Sequence, residues 1–451
     1  MTTASSTASD YHAALAALRA RGRFGIRLGL VRTRALLHAL GDPQLGVRGA
    51  LVAGTNGKGS VLALAASALR AAGLRVGETP KPHLVSYRER VAVDGHPIGV
   101  EDFTRHVEAV LEVADRVARR HGEPTEFELL TAVVFRHFAE AELDVALVEV
   151  GLGGRLDATH AWDGGVAVVT NVALDHMDRL GSTIPEIARE KAAIIERGDL
   201  AVTGADGEGL AVVQRRARRV GAPLTVVRPA PVLGWDRDGI QVELPGLGPT
   251  RIGLRGRHQA ANATVADATL DALEAAGIAG VDPDARRSGF ASATWPGRLE
   301  LLDVDGVDVL LDGAHNPAGA AALAQALDDL RPFLADGPPV LVVASMADKD
   351  VDGVIDALVG ATTLRGATVI ATSVDAVRAL PAEALAARWR ARARDLVEVT
   401  ARPDPLDALD AALATARRRG GATVVAGSLY LVGAVRAHLV DEPELRDPPS
   451  R

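Results

Sequence analysis

A glycine-rich loop between an apolar run and a helix is the feature that most constrains this chain. The run at residues 50–53 leads directly into the loop, and apolar residues recur at helical spacing after it. The loop consists of Gly54, Thr55, Asn56, Gly57, Lys58, Gly59 and Ser60. Glycines at such a position let backbone N–H groups turn toward a phosphate, and a lysine can then reach the outer phosphates.

The loop departs from the strict P-loop pattern at two positions. Val52 stands where that pattern needs a glycine, and Gly59 stands where it needs serine or threonine. The order of strand, loop and helix still favours phosphate binding by a variant of this loop. An ordinary glycine-rich turn between a strand and a helix is the alternative.

The length of 451 residues predicts two domains, because single hydrophobic cores stop growing near roughly 250 to 300 residues. Apolar runs near 307–312, 340–344, 367–372 and 422–427 alternate with helical stretches, which is typical of Rossmann-like winding. We predict an α/β fold with an N-terminal P-loop nucleotide-binding domain at residues 1–294 and a Rossmann-like domain at residues 295–441. Extended stretches after Trp235 predict a small antiparallel elaboration of the first domain, and residues 442–451 are predicted to be a disordered tail.

The composition excludes several classes of protein. A net charge of -8 gives no attraction to nucleic acid or to an anionic membrane surface. The absence of cysteine excludes disulfides, thiolate metal sites and a cysteine nucleophile. The first ten residues are small and polar, and the apolar runs are too short to span a bilayer. We therefore predict a cytoplasmic protein with no nucleic acid or membrane partner.

Polar groups follow two further apolar runs, at residues 145–150 and 166–171. These runs are continuous rather than alternating, as expected for parallel strands that are covered on both faces. Glu149 ends the first run, and a Mg²⁺ ion would relieve the cost of burying its carboxylate. An ion pair between Glu149 and Arg155 is the alternative. His176 follows the second run and is, on spacing alone, better explained as a half-exposed side chain than as a ligand.

Two other candidates have plain explanations from sequence. Lys191 lies in a predicted helix at residues 186–197, where a solvated lysine paired with a glutamate is the simplest interpretation. The stretch at residues 312–317 follows a strand and begins a helix, so it predicts either a second polar binding loop or a simple Asn-Pro turn.

Nine short motifs occur along nearly the whole chain in a fixed order. They are Gly54 to Ser60, Pro82-His83-Leu84 with Glu89-Arg90, Glu149 to Thr159, Asp175-His176, Lys191 to Ile195, His258-Gln259 with Asn262-Ala263, Trp295 to Arg298, Asp312 to Pro317 and Gly427 to Tyr430. Together they resemble the signature of the dihydrofolate synthase/folylpolyglutamate synthase family, a branch of the Mur ligases. The resemblance implies an ATP-dependent ligase that adds L-glutamate to dihydropteroate or to reduced folates through an acyl phosphate.

The resemblance also implies roles for individual residues. It implies that Lys58 and the loop bind ATP phosphates and that Ser60, Glu149 and His176 surround Mg²⁺. Lys191 matches a family lysine that can carry a carbamate. The resemblance therefore implies a modified lysine in the site rather than a solvated lysine paired with a glutamate. The remaining nucleotide contacts that the resemblance implies are Asn262, Arg298, Asp312 and His315, with the arginine at the phosphates and the aspartate at the ribose. His176 is also the candidate general base, which conflicts with its role as a ligand.

Two positions depart from the family pattern. The family often has Thr-Ser-Pro-His, with the serine near a metal, where this chain has Pro80-Lys81-Pro82-His83. A lysine brings positive charge to that position and disfavours a second Mg²⁺ there. His160 stands where many relatives have asparagine. A different Mur-type amino-acid ligase, or a relative that binds nucleotide without turnover, remains an alternative, and the family's tendency predicts a monomer.

Overall fold

The structure is a computed structural model that describes residues 2–24, 27–393 and 398–449. It contains two compact units. The first comprises Met1–Pro229, Ala261–Phe290 and Pro443–Arg451, and the second comprises Ala230–Ala260 and Ala291–Glu442. The predicted boundary between residues 294 and 295 stays a prediction. Residues 230–260 nevertheless group with the second unit, whereas the sequence assigned them to the first.

An eight-stranded sheet forms the centre of the first unit. Its strands are β1 Gly49–Ala53, β2 Val76–Thr79, β3 Ala92–Val93, β4 His96–Pro97, β5 Val145–Glu149, β6 Gly165–Val169, β7 Leu200–Thr203 and β8 Leu224–Val226. The order is β4-β3-β2-β5-β1-β6-β7-β8, in which β3 and β4 are antiparallel and the other strands are parallel. The continuous apolar runs of β1, β5 and β6 are therefore explained by burial on both faces.

Helices accompany this sheet in sequence. They are α1 Thr2–Ala20, α2 Val31–Ala39, α3 Lys58–Ala71, α4 Val100–His121, α5 Glu126–Glu140, α6 Met177–Leu180, α7 Ile184–Ala192, α8 Gly207–Val220, α9 Gln259–Ala275 and α10 Pro283–Ser292. Helix α4 shows why they form, because Phe103, Val107, Val110 and Ala114 recur on one buried face. Thr125 and Glu128 form the predicted capping box of α5.

The second unit contains two sheets. A three-stranded antiparallel sheet has the order β11-β10-β9 and is the predicted antiparallel elaboration; its strands are β9 Val232–Asp236, β10 Gly239–Leu244 and β11 Gly248–Ile252. The larger sheet has the order β12-β13-β17-β14-β15-β16. Its strands are β12 Glu300–Val304, β13 Val307–Leu311, β14 Gly337–Val343, β15 Thr368–Ala371, β16 Glu398–Ala401 and β17 Gly421–Ala426. Only β12 is antiparallel to its neighbour.

Five helices alternate with the strands of the larger sheet. They are α11 Pro317–Leu330, α12 Val351–Val359, α13 Ala382–Arg392, α14 Pro405–Arg419 and α15 Leu429–Leu439. Trp389 of α13 is 2 % exposed and is the largest fully buried side chain among the described residues. The alternation of parallel strands and helices confirms the predicted α/β fold with a Rossmann-like second unit.

Residues 443–449 fold back onto the first unit. The buried guanidinium of Arg88 donates to the carbonyl oxygens of Glu444 and Arg446 at 2.6 and 3.2 Å. The carboxylate of Asp447 accepts hydrogen bonds from Ser86 Oγ at 2.7 Å and from Arg88 at 3.3 Å. These contacts satisfy a buried cation, so residues 443–449 are ordered and do not form the disordered tail that the sequence predicted. Residues 450 and 451 of that predicted tail lie outside the described residues.

Membrane spans are absent from the described part of the chain. None of its helices combines the length and the apolar character that crossing a bilayer requires.

Candidate functional site

Three neighbouring strands bring the predicted polar loops of the first unit to one edge of its sheet. β1 lies between β5 and β6 and is parallel to both, with Val52 opposite Glu149 and Ala53 opposite Val169. The loop after β1, the end of β5 and the segment after β6 therefore emerge side by side. This is the edge where ligands bind in open parallel sheets.

Two glycines of the loop could not be replaced without a clash. Gly54 has φ +154°, and a Cβ there would lie 1.8 Å from Oγ1 of Thr170. Gly57 has φ +80°, and a Cβ there would lie 2.2 Å from Oδ1 of Asn262. The predicted nucleotide residue Asn262 therefore packs directly against the loop. Gly57 is the last residue before α3, so the loop ends at the N-terminus of a helix, where backbone N–H groups favour an anion.

The segment after β6 fixes the shape of the loop. The backbone N–H of Asn56 donates to Oδ1 of Asn171 at 2.9 Å, and the side chains of Asn171 and Thr170 donate to the carbonyl oxygen of Asn56. The hydroxyl of Thr55 bonds to the backbone of Ala173. Sequence reasoning gave neither Thr170 nor Asn171 a role in the site. Their signal was polar residues at the end of an otherwise apolar strand.

Lys58 folds back over the loop that precedes it. Its Nζ donates to the carbonyl oxygens of Gly54 and Thr55, both at 3.1 Å, and lies 4.0 Å from Oε1 of Glu149. The ammonium therefore lies against the loop, beside the N-terminus of α3. A phosphate bound by the loop would lie within reach of this side chain.

Lys191 is buried in the site, so the interpretation as a solvated lysine is wrong. It is 4 % exposed, and its Nζ donates to the carbonyl oxygen of Gly54 at 2.8 Å. Burial, and then the charge of Lys58, lower the pKa of Lys191 to about 7. A large share of Lys191 is therefore a neutral, nucleophilic amine near neutral pH.

Glu149 is buried among lysines rather than paired with Arg155. Arg155 instead donates to Glu190 at 2.9 Å. Glu149 is 3 % exposed, and its carboxylate accepts a hydrogen bond from the backbone N–H of Lys81 at 3.0 Å. The Lys81 ammonium donates to the main-chain oxygen of Glu149 and lies 4.9 Å from the centroid of the Phe127 ring. Burial lowers the pKa of Lys81 to about 8, so Lys81 is mostly charged at neutral pH.

His176 lies on the segment after β6, as the strand order requires. Its φ is +49°, an unusual value for a residue other than glycine, and it precedes the short helix α6. The side chain is 44 % exposed, and its Nε2 lies 3.8 Å from the Asp175 carboxylate. His176 is thus accessible to a ligand at this edge of the sheet.

The donor set at this edge suits a Mg²⁺ ion that arrives with phosphates. Ser60 lies in the first turn of α3 and supplies a hydroxyl, and Glu149 supplies a carboxylate. Mg²⁺ is commonly held by one or two such oxygens together with substrate phosphates and water. Among the described residues, no group of three or more His, Cys, Asp and Glu side chains forms a metal cage without substrate.

Three further predicted nucleotide residues lie together in the second unit, after or beside β13. Asp312 accepts hydrogen bonds from the backbone N–H groups of Leu299 and Ala314 at 2.9 and 2.8 Å, and burial raises its pKa. A Cβ on Gly313 would lie 2.6 Å from the Arg298 guanidinium, so that side chain lies against the same loop. His315 Nδ1 lies 2.8 Å from the Gly313 carbonyl oxygen.

The helix that follows this loop confirms the Asn-Pro turn as well. The side chain of Asn316 accepts a hydrogen bond from the backbone N–H of Gly319 at 2.8 Å, and Pro317 is the first residue of α11. A capped helix start and a polar loop thus share residues 312–317.

Comparisons with known proteins match both parts of the chain. Residues 52–270 match the family described as the Mur ligase middle domain. Residues 298–438 match the family described as dihydrofolate synthetase, C-terminal domain.

Several known proteins are similar to this chain over most of their length. A dihydrofolate synthase/folylpolyglutamate synthase of Bacillus subtilis is 38 % identical over 70 % of this chain and 76 % of its own. A folylpolyglutamate synthase of Lacticaseibacillus casei is 34 % identical over 91 % of this chain and 94 % of its own.

Solved structures agree with this similarity. The Mycobacterium tuberculosis folylpolyglutamate synthase complexed with ADP and AMPPCP has a TM-score of 0.84 and 33 % identity, covering 96 % of this chain and 99 % of its own. A bifunctional enzyme of Yersinia pestis complexed with AMPPNP and a Mn ion has a TM-score of 0.78 and 30 % identity, covering 95 % of this chain and 98 % of its own.

Proposed function

The chain belongs to the dihydrofolate synthase/folylpolyglutamate synthase family, and we propose from this premise that it joins L-glutamate to dihydropteroate, to reduced folates or to both. ATP is the energy source, and ADP and phosphate are released. The relatives carry the name of this activity, and their solved structures contain ATP analogues or ADP.

The observation that supports the proposal best is the crowding of ammonium groups around one glycine loop. Lys58 and Lys191 both donate to the carbonyl oxygen of Gly54, and this loop opens α3. Two ammonium groups beside a helix N-terminus suit a polyanion. The γ-phosphate of ATP is such a polyanion.

The first chemical step activates the acceptor carboxylate. A carboxylate oxygen attacks the γ-phosphorus, the bond from that phosphorus to the bridging oxygen breaks, and ADP leaves with the electron pair. Catalysis of phosphoryl transfer comes mainly from positioning and from neutralising charge on the transferred group. In our proposal the loop N–H groups and Lys58 supply both.

A divalent metal ion would be held by Ser60, Glu149 and His176. These residues supply a hydroxyl, a carboxylate and an imidazole at the same edge of the sheet. The ion, proposed to be Mg²⁺, would neutralise phosphate charge. The family's use of a divalent ion is seen in the Mn complex of the Yersinia pestis enzyme.

We propose that Lys191 is the site of a carbamate. Its burial, its low pKa and its hydrogen bond to Gly54 keep a neutral amine in the site, which is the form that reacts with carbon dioxide. The carbamate would convert a buried cationic group into an anionic one beside Lys58. That conversion would add an oxygen donor near the metal ion.

The second chemical step forms the amide. The glutamate nitrogen attacks the carbonyl carbon of the acyl phosphate, the carbon–oxygen bond to phosphate breaks, and inorganic phosphate leaves. The amine proton must pass to a base, and the accessible His176 could accept it only when its imidazole is released from the metal ion, because a metal-bound nitrogen has no free lone pair. In the second unit we propose that Arg298, Asp312 and His315 bind ATP, as we propose for Asn262 in the first. The monomeric state and the cytoplasmic location remain proposals.

Phosphate release tests the function directly. The purified chain is incubated with ATP, Mg²⁺ and one acceptor, which is dihydropteroate, tetrahydrofolate or a peptidoglycan precursor, with and without glutamate. We expect phosphate release with at least one pterin acceptor and loss of that release when glutamate is omitted.

A matched pair of variants assigns the release to the loop. Lys58→Met is expected to lower the rate by at least a hundredfold, whereas Arg219→Met should leave it unchanged, because Arg219 is exposed in the last turn of α8, at the opposite edge of the sheet. Release with the peptidoglycan precursor alone would point to another Mur-type ligase. ATP binding without release from any acceptor would point to a relative that lacks turnover.

A further inference from the structure

Lysine is rare in this chain and is concentrated at the candidate site. The chain has 50 lysine and arginine residues, and only Lys58, Lys81, Lys191 and Lys349 are lysines. Three of these four contact either the loop or Glu149. Arginine is the basic residue at almost every other position, so the lysines mark the place where cationic groups are concentrated.

Lys81 is fixed against Glu149 at both ends. Its backbone N–H donates to the Glu149 carboxylate at 3.0 Å, and its ammonium donates to the main-chain oxygen of the same residue. The Phe127 ring, 4.9 Å from Nζ, covers the ammonium from another side. The charge therefore cannot move away from Glu149 without breaking these contacts.

Two ammonium groups lie close to Glu149, and one of them, Lys81, also interacts with the charge of Asp157. Lys58 lies 4.0 Å from Oε1, and Lys81 is held to the same residue. In our proposed function Lys58 turns to the ATP phosphates, but Lys81 has no such alternative among the contacts described above. A divalent ion beside Glu149 would therefore face a fixed positive charge at close range.

We propose that the Lys81 ammonium is a built-in cation at Glu149 that replaces one divalent metal ion, so that the enzyme uses a single metal ion with each ATP. This inference rests on the proposed function. It adds a specific prediction about metal stoichiometry, and it assigns to Lys81 the neutralisation of a carboxylate that would otherwise attract a second ion.

Metal binding can be counted without measuring activity. Free Mn²⁺ is followed by its electron paramagnetic resonance signal while the full chain is titrated, once with a non-hydrolysable ATP analogue and once with Mn²⁺ alone. The variants are Lys81→Met, Lys81→Arg and the double variant Lys81→Met with Glu149→Gln, and Arg219→Met in the last turn of α8 is the control.

We expect one Mn²⁺ per chain with the analogue for the wild type, for Lys81→Arg and for the control. Lys81→Met should bind a second Mn²⁺, and the double variant should lose that second ion. With Mn²⁺ alone, Lys81→Met should bind the ion at least tenfold more tightly than the wild type. Lys81→Arg separates charge from packing, because arginine keeps the charge but changes the shape.

Two outcomes would overturn the inference. One is a wild type that binds two Mn²⁺ per chain with the analogue. The other is a Lys81→Met variant that binds the analogue but shows no gain in Mn²⁺ binding in either titration. Failure of the proposed function is distinguishable, because it would show as absence of analogue binding in the wild type, while the titration with Mn²⁺ alone would still decide the role of Lys81.

Discussion

Replacing Lys191 with methionine is expected to stabilise the fold by an amount that depends on pH. Lys191 is 4 % exposed, and its pKa falls from the ordinary 10.5 to about 7, mainly through burial. At 1.36 kcal/mol per pH unit, keeping Lys191 protonated in the folded chain costs on the order of 4–5 kcal/mol below pH 7. Methionine has a similar length and carries no charge, so Lys191→Met removes this cost.

The sign of the pH dependence follows from proton binding. Between pH 7 and pH 10.5 the unfolded chain holds the Lys191 proton and the folded chain does not, so the free energy of unfolding of the wild type rises with pH. The destabilisation by Lys191 is therefore complete below pH 7 and disappears as the pH passes 10.5. The advantage of the variant should shrink by on the order of 2–3 kcal/mol from pH 6 to pH 9.

Loss of a hydrogen bond changes the size of the stability difference between the wild type and Lys191→Met, but not how that difference depends on pH. Lys191 donates to Gly54 at 2.8 Å, and methionine leaves that carbonyl oxygen without the bond. The loss costs about 1–2 kcal/mol at each pH, so the change with pH is the diagnostic quantity.

Urea unfolding of both proteins at pH 6, 7.5 and 9 measures this quantity. Buffers free of carbon dioxide keep Lys191 as a free amine. A stability difference between wild type and Lys191→Met that stays constant within about 0.5 kcal/mol, or grows with pH, would refute the reasoning.

Three other changes test the site and the core. Gly57→Ala should weaken binding of an ATP analogue at least tenfold and destabilise the fold by about 1–2 kcal/mol, because φ is +80° and a Cβ would meet Asn262. Calorimetric titration measures the binding, and urea unfolding measures the stability. Unchanged binding would contradict the loop assignment. Glu149→Gln should abolish phosphate release, because a neutral amide binds a divalent ion far more weakly than a carboxylate does. The amide keeps an acceptor for the Lys81 N–H, and retained release would argue for a purely structural carboxylate. Trp389→Ala should cost about 3–5 kcal/mol in urea unfolding, because the side chain is 2 % exposed, and a loss below about 1 kcal/mol would be inconsistent with that burial.

Continuous apolar runs predicted most of the larger sheet in the second unit, and its two edge strands escaped prediction. β13, β14, β15 and β17 are almost wholly buried, which produces uninterrupted apolar sequence. β12 and β16 are partly exposed along their length and carry polar residues accordingly. Their pairing depends on a neighbouring strand that is distant in sequence, which no local pattern records.

The sequence predicted the site residues that directly follow a strand. It did not predict those whose position depends on tertiary packing. The Gly54 to Ser60 loop followed from its position between strand and helix. The burial of Lys191 did not, because the helix α7 could turn that residue toward water or toward Gly54 without changing its sequence pattern. The fixed position of Lys81 likewise depends on β5 lying beside β2 and β1.

The composition of the first unit has a consequence for how the protein is made. Its helices α9 and α10 come largely from residues 261–290, and the ligands of the buried Arg88 guanidinium come from residues 444–447. A ribosome therefore synthesises the whole second unit before the last contacts of the first can form. Until then Arg88 lacks its hydrogen bonds to residues 444–447, so the contacts that bury this guanidinium are completed only after the second unit has been synthesised.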